Sequence, residues 1–156
     1  MKAEYINPFL VATSNVFRDL LKVQLVRGRT LIKKTPAPSH EIAIFIGVKG
    51  KNSGQVIYSM NLETIYKIVG RLMPGIDQAN LKKEWRDVIG EVGNMITGNA
   101  MQMLIAGDAG LDLTVPMVVD IRKQAPEIAP MSTIGLNFYA PFGLIEANIA
   151  FKSMGV

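Results

Sequence analysis

The sequence predicts an α+β fold: an antiparallel six-stranded sheet with helices packed on one face. Three observations lead there. Apolar residues recur at helical spacing in three segments, and they alternate with other residues in six shorter ones. The order of these elements is helix, three strands, helix, then helix, three strands. Consecutive strands joined by short turns pair as antiparallel neighbours, and helices with one apolar stripe each must bury it against a sheet.

Each element has its own signal. Residues 8–22, PFLVATSNVFRDLLK, predict the first helix, with Asn7 as N-cap and Pro8 at the first helical position. Phe9, Ala12, Val16, Leu20 and Val23 form its stripe. Residues 24–32 predict a strand. HEIAIFIGV alternates, with Ile42, Ile44, Ile46 and Val48 on one face, and the KGKNSG turn joins it to GQVIYSM as a hairpin. NLETIYKIVGRLM predicts the second helix, capped by Asn61, with Leu62, Ile65, Ile68, Val69 and Leu72 inward and Pro74 and Gly75 ending it. The third helix is expected over about residues 81–105, followed by Gly107 and Gly110. LDLTVPMVVDI then predicts a strand that Pro116 confines to an edge or a bulge. MSTIGLNFYA and LIEANIAFK alternate around the tight turn Pro141–Gly143. The two halves echo each other: ATSNVFRDLL aligns with EVGNMITGNAMQML, so that Asn15 takes the place of Asn94 and Ala12 that of Glu91. A pseudo-twofold repeat of one helix and three strands is therefore expected.

Composition narrows the function. At 156 residues, the chain reads as one domain, 1–156, large enough for a sizeable core. Apolar residues at 49% against 19% charged argue for a folded chain. With no cysteine and a single histidine, His40, there is no disulfide framework, no thiolate or His-rich metal site and no Cys–His or Ser–His nucleophile. No run of about 20 apolar residues is present, so no membrane span is expected. Glu4, Asn7 and Pro8 stand where a secretory signal needs its apolar stretch, so the expected compartment is the cytoplasm. Five of the 17 basic residues fall between Lys22 and Lys34, but no aromatics interleave to stack bases, so nucleic acid is not expected. That run reads first as a solvated strand face and second as a surface for an acidic protein.

The third helix is the unusual element. GEVGNMITGNA, residues 90–100, places three glycines in eleven residues, each costing about 1 kcal/mol relative to alanine. At about 100° per residue, Leu81, Trp85, Val88, Val92 and Ile96 share the stripe that must face the core. Asp87 and Asn94 fall on the far side, with Glu91 on the flank between them. Gly90 and Gly98 lie on the outer side, Gly93 on the opposite flank, and Met101 outward. Exposed Asp, Glu and Asn on a helix are usually only solvated, but a merely solvated face would favour Ala, Lys or Gln over glycine. Glycines there let another backbone approach. Glu84 adds a third acid, yet Glu84 and Glu91 stand about 10 Å apart along the axis, too far to converge on one ion. An amide cannot accept a proton at neutral pH, but it can orient a water, which suits the loose transition state of phosphoryl transfer.

Asp87, Glu91 and Asn94, in the frame D-x-x-x-E-x-x-N with Pro116 downstream, resemble the signature of the CheC/CheX chemotaxis phosphatases. The string IGEVGNM is similar to the active-site helix of that family, and the likeness runs over the whole chain. One complete motif, rather than two, resembles the CheX branch. The resemblance implies a phosphatase acting on the phospho-aspartate of a CheY-type response regulator. It implies that Asn94 positions the attacking water and that Glu91 pairs with the regulator's lysine. Gly90 and Gly93, with Gly98 and Asp87 beside them, would let the partner lie close. Pro116 would be structural. The magnesium ion would be the regulator's, and this chain would need no metal or cofactor of its own. With Ala12 in place of the acid, Asn15 would be a vestige. The same resemblance implies a homodimer joined through the sheets. The rival reading is a non-catalytic binding module, either receiver-binding or like the middle domain of flagellar switch proteins.

Overall fold

The structure, a computed structural model, describes residues 3–50, 53–104 and 112–154. The expected end of the third helix at 105, Gly107, Gly110, and residues 51 and 52 of the KGKNSG turn lie outside the described residues. Helix α1 (Ala3–Leu21) is followed by β1 (Val26–Lys33), β2 (Ile42–Lys49) and β3 (Gly54–Met60). Then come α2 (Leu62–Leu72), α3 (Gln78–Leu104), β4 (Asp112–Leu113), β5 (Met117–Asp120), β6 (Thr133–Ala140) and β7 (Gly143–Phe151).

The strands form one fully antiparallel sheet in the order β1–β6–β7–β3–β2–β4, with β5 also on β2. The sheet therefore has seven strands rather than six. The expected LDLTVPMVVDI strand is split, because Pro116 has no N–H to give to the ladder. The break is pinned by Thr114: its N–H donates to Gly47 O at 2.9 Å, and its Oγ1 accepts from Gly47 N–H at 2.8 Å. The first strand of each half lies outside the second strand of the other, and the third strands, β3 and β7, pair at the centre.

All three helices join one core with the sheet face carrying Ile42, Ile44, Ile46 and Val48. The opposite face is not left to solvent. Ala43, Phe45 and Ile57 are buried there beneath Val119, Ile121 and Ile128. Beside them Glu146 Oε1 accepts from Ser59 Oγ–H, Ser39 N–H and Asn148 Nδ2–H at 2.9–3.0 Å. Strands β2 and β3 are consequently buried on both faces, and alternation shows which side each residue takes rather than which is wet.

Local expectations needed three corrections. Helix α1 already includes Ala3, so Asn7 is not its N-cap and Pro8 sits inside it. Tyr5, Ile6 and Phe9 are buried, and Tyr5 stacks on Phe151 with ring centroids 5.7 Å apart; that tertiary burial outweighs the single hydrogen bond proline forfeits. On the same helix Leu20, expected inward, is 38% exposed, and Phe17 and Leu21 take the core positions. Asn61 does hold the N-cap position of α2 but makes no side-chain cap bond; Glu41 Oε1 accepts from Leu62 N–H at 3.0 Å instead.

Candidate functional site

Helix α3 starts at an Asp77 cap, whose Oδ1 accepts from Asn80 N–H at 2.8 Å. It runs 27 residues across the sheet. Its buried residues are Leu81, Trp85, Ile89, Gly90, Val92, Gly93, Ile96, Thr97, Ala100 and Met101. This arc is wider than the large-apolar stripe and rotated from it, because it includes a seam of small residues. At Gly93 a Cβ would stand 3.2 Å from Ile46 Cδ1 and 3.3 Å from Ile44 Cγ2. Gly93 therefore faces the sheet, and its expected place on a partner-facing surface is corrected: it lets the helix lie close to β2. Met101, expected outward, is fully buried. Gly90 is also buried, its Cβ direction meeting Pro116 Cβ at 3.3 Å. The glycine and the proline thus explain each other, since the kinked β4–β5 edge packs directly on the helix. Of the three glycines only Gly98 has room among the described residues, where Leu113 Cδ1 at 4.0 Å is the nearest side-chain atom.

Asp87 stands outward as expected, whereas Asn94, expected on the far side from the core, borders the buried arc, and Glu91, expected on the flank, is the exposed member of the pair. Asp87 and Glu91 are exposed, and neither makes an ion pair among the described residues. Asn94 is half-buried, and its Oδ1 is enclosed without a hydrogen-bond partner. Leaving such an acceptor unpaired costs about 1–3 kcal/mol, and buried polar groups are rarely left so. One residue before it, Gly93 O accepts from Thr97 Oγ1–H at 2.8 Å, and Thr97 Oγ1 lies 2.8 Å from the Tyr58 hydroxyl. This chain ties the Asn94 turn to β3. Burial pushes the Tyr58 phenol well above its usual pKa, and the Thr97 hydrogen bond offsets part of that rise. Sequence reasoning missed Tyr58 and Thr97; the spacing of Gly93, Thr97 and Ala100, small residues three or four apart, is the signal that marks the close seam.

Asp87 and Glu91 form a ridge with a depression on each side. Toward the sheet edge, a cleft of about 380 Å³ is walled by Arg86, Gly90, Val115, Pro116 and Val118. Toward α1 and α2, a groove of about 350 Å³ is walled by Leu20, Leu72, Val88, Val92 and Met95. Among the described residues no three His, Cys, Asp or Glu side chains cluster as metal ligands, and no helix is long and apolar enough to cross a membrane.

Helices on one face of an antiparallel sheet, with an exposed acid one turn before a half-buried amide, define a protein that displays its candidate site on a helix surface rather than in a cavity. Residues 42–129, which contain Asp87, Glu91, Asn94 and Pro116, match the family model described as chemotaxis phosphatase CheX. The chain is 30% identical over 122 residues to the CheY-P phosphatase CheX of Thermotoga maritima, covering 78% of this chain and 79% of that one. It is thus a member of the CheX family of chemotaxis phosphatases. Among solved structures, a CheX–CheY–BeF3–Mg2+ complex from Borrelia burgdorferi aligns with a TM-score of 0.75 at 28% identity, over 94% of this chain and 97% of that one. A CheC-like superfamily protein from Shewanella sp. PV-4 aligns with a TM-score of 0.80 at 25% identity, over 97% and 99%.

Proposed function

We propose that this protein hydrolyses the phospho-aspartate of a CheY-type response regulator. The observation that carries the reading is an exposed Glu91, without an ion pair among the described residues, one turn before the half-buried Asn94 on the same helix. The Thermotoga relative is a CheY-P phosphatase, and the Borrelia relative was captured with CheY, BeF3 and Mg2+, which supports a magnesium ion that arrives with the regulator.

In this reading Glu91 pairs with a lysine of the receiver and fixes the register of docking. The Asn94 amide holds a water in line with the phosphorus. The water oxygen forms the new P–O bond, the bond from phosphorus to the aspartyl oxygen breaks, and the carboxylate leaves with its electron pair. The water proton passes to the departing phosphate or to solvent. Nothing in the step needs a base of this chain, which suits an amide. Gly98 leaves room beside the two side chains. A homodimer belongs to the same reading, supported by the outer strand β1, where Val26 is 64% and Ile32 72% exposed. So does a cytoplasmic location, where such a regulator works.

The test is phosphate release from a phosphorylated CheY-type receiver with Mg2+, measured against the receiver's own rate of loss. Acceleration by the wild type and its absence in Asn94→Ala are expected. A wild type that binds the receiver without accelerating the loss would replace the reading with that of a non-catalytic binding module.

A further inference from the structure

We propose that the apolar groove between α1, α2 and α3 is a second anchor point for the same receiver, taking one apolar side chain flanked by a basic residue. The inference rests on the proposed function for the identity of the partner, and on the geometry for the rest.

The groove and the candidate site share two residues. Asp87 and Glu91 line the groove while standing on the ridge that carries the site. Met95, one turn beyond Glu91, lies about 6 Å further along the axis. Even a weak protein interface covers on the order of 600 Å² per partner, a disc of about 14 Å radius. A protein seated on Glu91 and Asn94 therefore covers the groove as well, and must either fill it or trap water over apolar walls. The walls are Leu20 and Met95, 38% and 36% exposed, with half-buried Leu72 and Val88 and buried Val92. Methionine and leucine tips adapt to an incoming side chain.

Charge defines the rest of the occupant. The chain carries a net charge of +4, yet the rim of this groove is two carboxylates without ion partners among the described residues. An apolar side chain with a lysine or arginine beside it complements both features, and an acidic one is repelled. The division of labour has a physical consequence. The Glu91 contribution is electrostatic and weakens with salt, whereas the groove contribution is apolar and does not.

The experiment measures turnover of the phosphorylated receiver and calorimetric binding of the same receiver activated with beryllofluoride. Wild type, Leu20→Lys, Met95→Lys and Met95→Leu are compared at low salt and at 0.5 M NaCl. The two lysine variants change exposed positions on different helices, and thermal melts report whether each remains folded. Each is expected to raise KM and Kd about tenfold with kcat at saturation within twofold of wild type, the signature of lost ground-state docking. Met95→Leu is expected to bind as wild type does. The wild-type complex at 0.5 M NaCl is expected to keep part of its affinity, and a double variant Leu20→Ala/Met95→Ala to lose that part. Folded lysine variants with unchanged Kd, or a fall in kcat at unchanged KM, would overturn the groove while leaving the catalytic reading intact. A wild type that binds but does not hydrolyse, with weakened lysine variants, would do the reverse. A wild type that binds no receiver would overturn both.

Discussion

Asn94 and Gly93 are neighbours with opposite duties. Asn94 stands at the border of the buried arc, where its amide takes the proposed water-orienting role. Asn94→Ala is expected to lower kcat on the phosphorylated receiver by about 10² or more while leaving Kd within a few-fold, because a water-orienting group acts in the transition state. Stopped-flow phosphate release with a binding isotherm separates the two. Gly93 contributes by having no side chain. Gly93→Leu is expected to destabilise the fold by about 1–3 kcal/mol through overpacking against Ile44 and Ile46. A melt at or above the wild-type temperature would show that the helix can lift from β2 freely. Gly98→Ala, whose Cβ meets no described residue of another element closer than Leu113 Cδ1 at 4.0 Å, is expected to raise stability by about 1 kcal/mol, so that any loss of receiver affinity is a loss of clearance.

At the scale of elements, α1 and α3 look alike in sequence and differ in what they expose. Asn15 and Asn94 are both half-buried, but Ala12 lies fully in the core whereas Glu91 is exposed. An acid at residue 12 would be desolvated, which supports the proposed single site on α3. Asn15→Ala is accordingly expected to leave turnover within twofold of wild type; a large share of activity lost by a well-folded variant would mean two catalytic helices. The tie between β3 and α3 has a pH signature. Tyr58 has its pKa raised by burial, so its contribution to stability is fully present below the pKa of an unfolded tyrosine, about 10, and is lost as pH rises above it. Melting temperature is expected to fall above about pH 10 with a component that Tyr58→Phe removes. The same variant is expected to cost about 1 kcal/mol at neutral pH, since Thr97 keeps its bond to Gly93 O.

For the whole molecule, the sheet has two edges of different character. One is the short, split β4–β5 strand, whose Pro116 packs on Gly90 of α3, and the other is the unbroken eight-residue β1, where Val26 and Ile32 are exposed beside Arg27, Arg29 and Lys33. The proposed dimer pairs through the longer β1 edge. Light scattering of the wild type and of Val26→Lys/Ile32→Lys should show a dimer giving way to a monomer. An unchanged mass in the variant would move the interface elsewhere.

Most element positions, and the placing of Asp87, Glu91 and Asn94 together on one helix, were determined by the sequence alone. Alternation and helical spacing are local properties, and Asp87, Glu91 and Asn94 lie within two turns of one helix, so no distant contact is needed to bring them together. What only the tertiary structure decided is which way the small residues face and where apolar stripes end. Gly93 and Met101 turned inward and Leu20 outward because burial depends on what lies opposite each position, and a helix of 27 residues crosses several different neighbours. The start of α1, the splitting of the edge strand at Pro116 and the buried Glu146–Asn148 network on the far face were settled in the same way. Each depends on partners more than 60 residues away in the chain, such as Phe151 for Tyr5, Gly47 for Thr114 and Ser59 for Glu146. Local periodicity carries no record of such pairs.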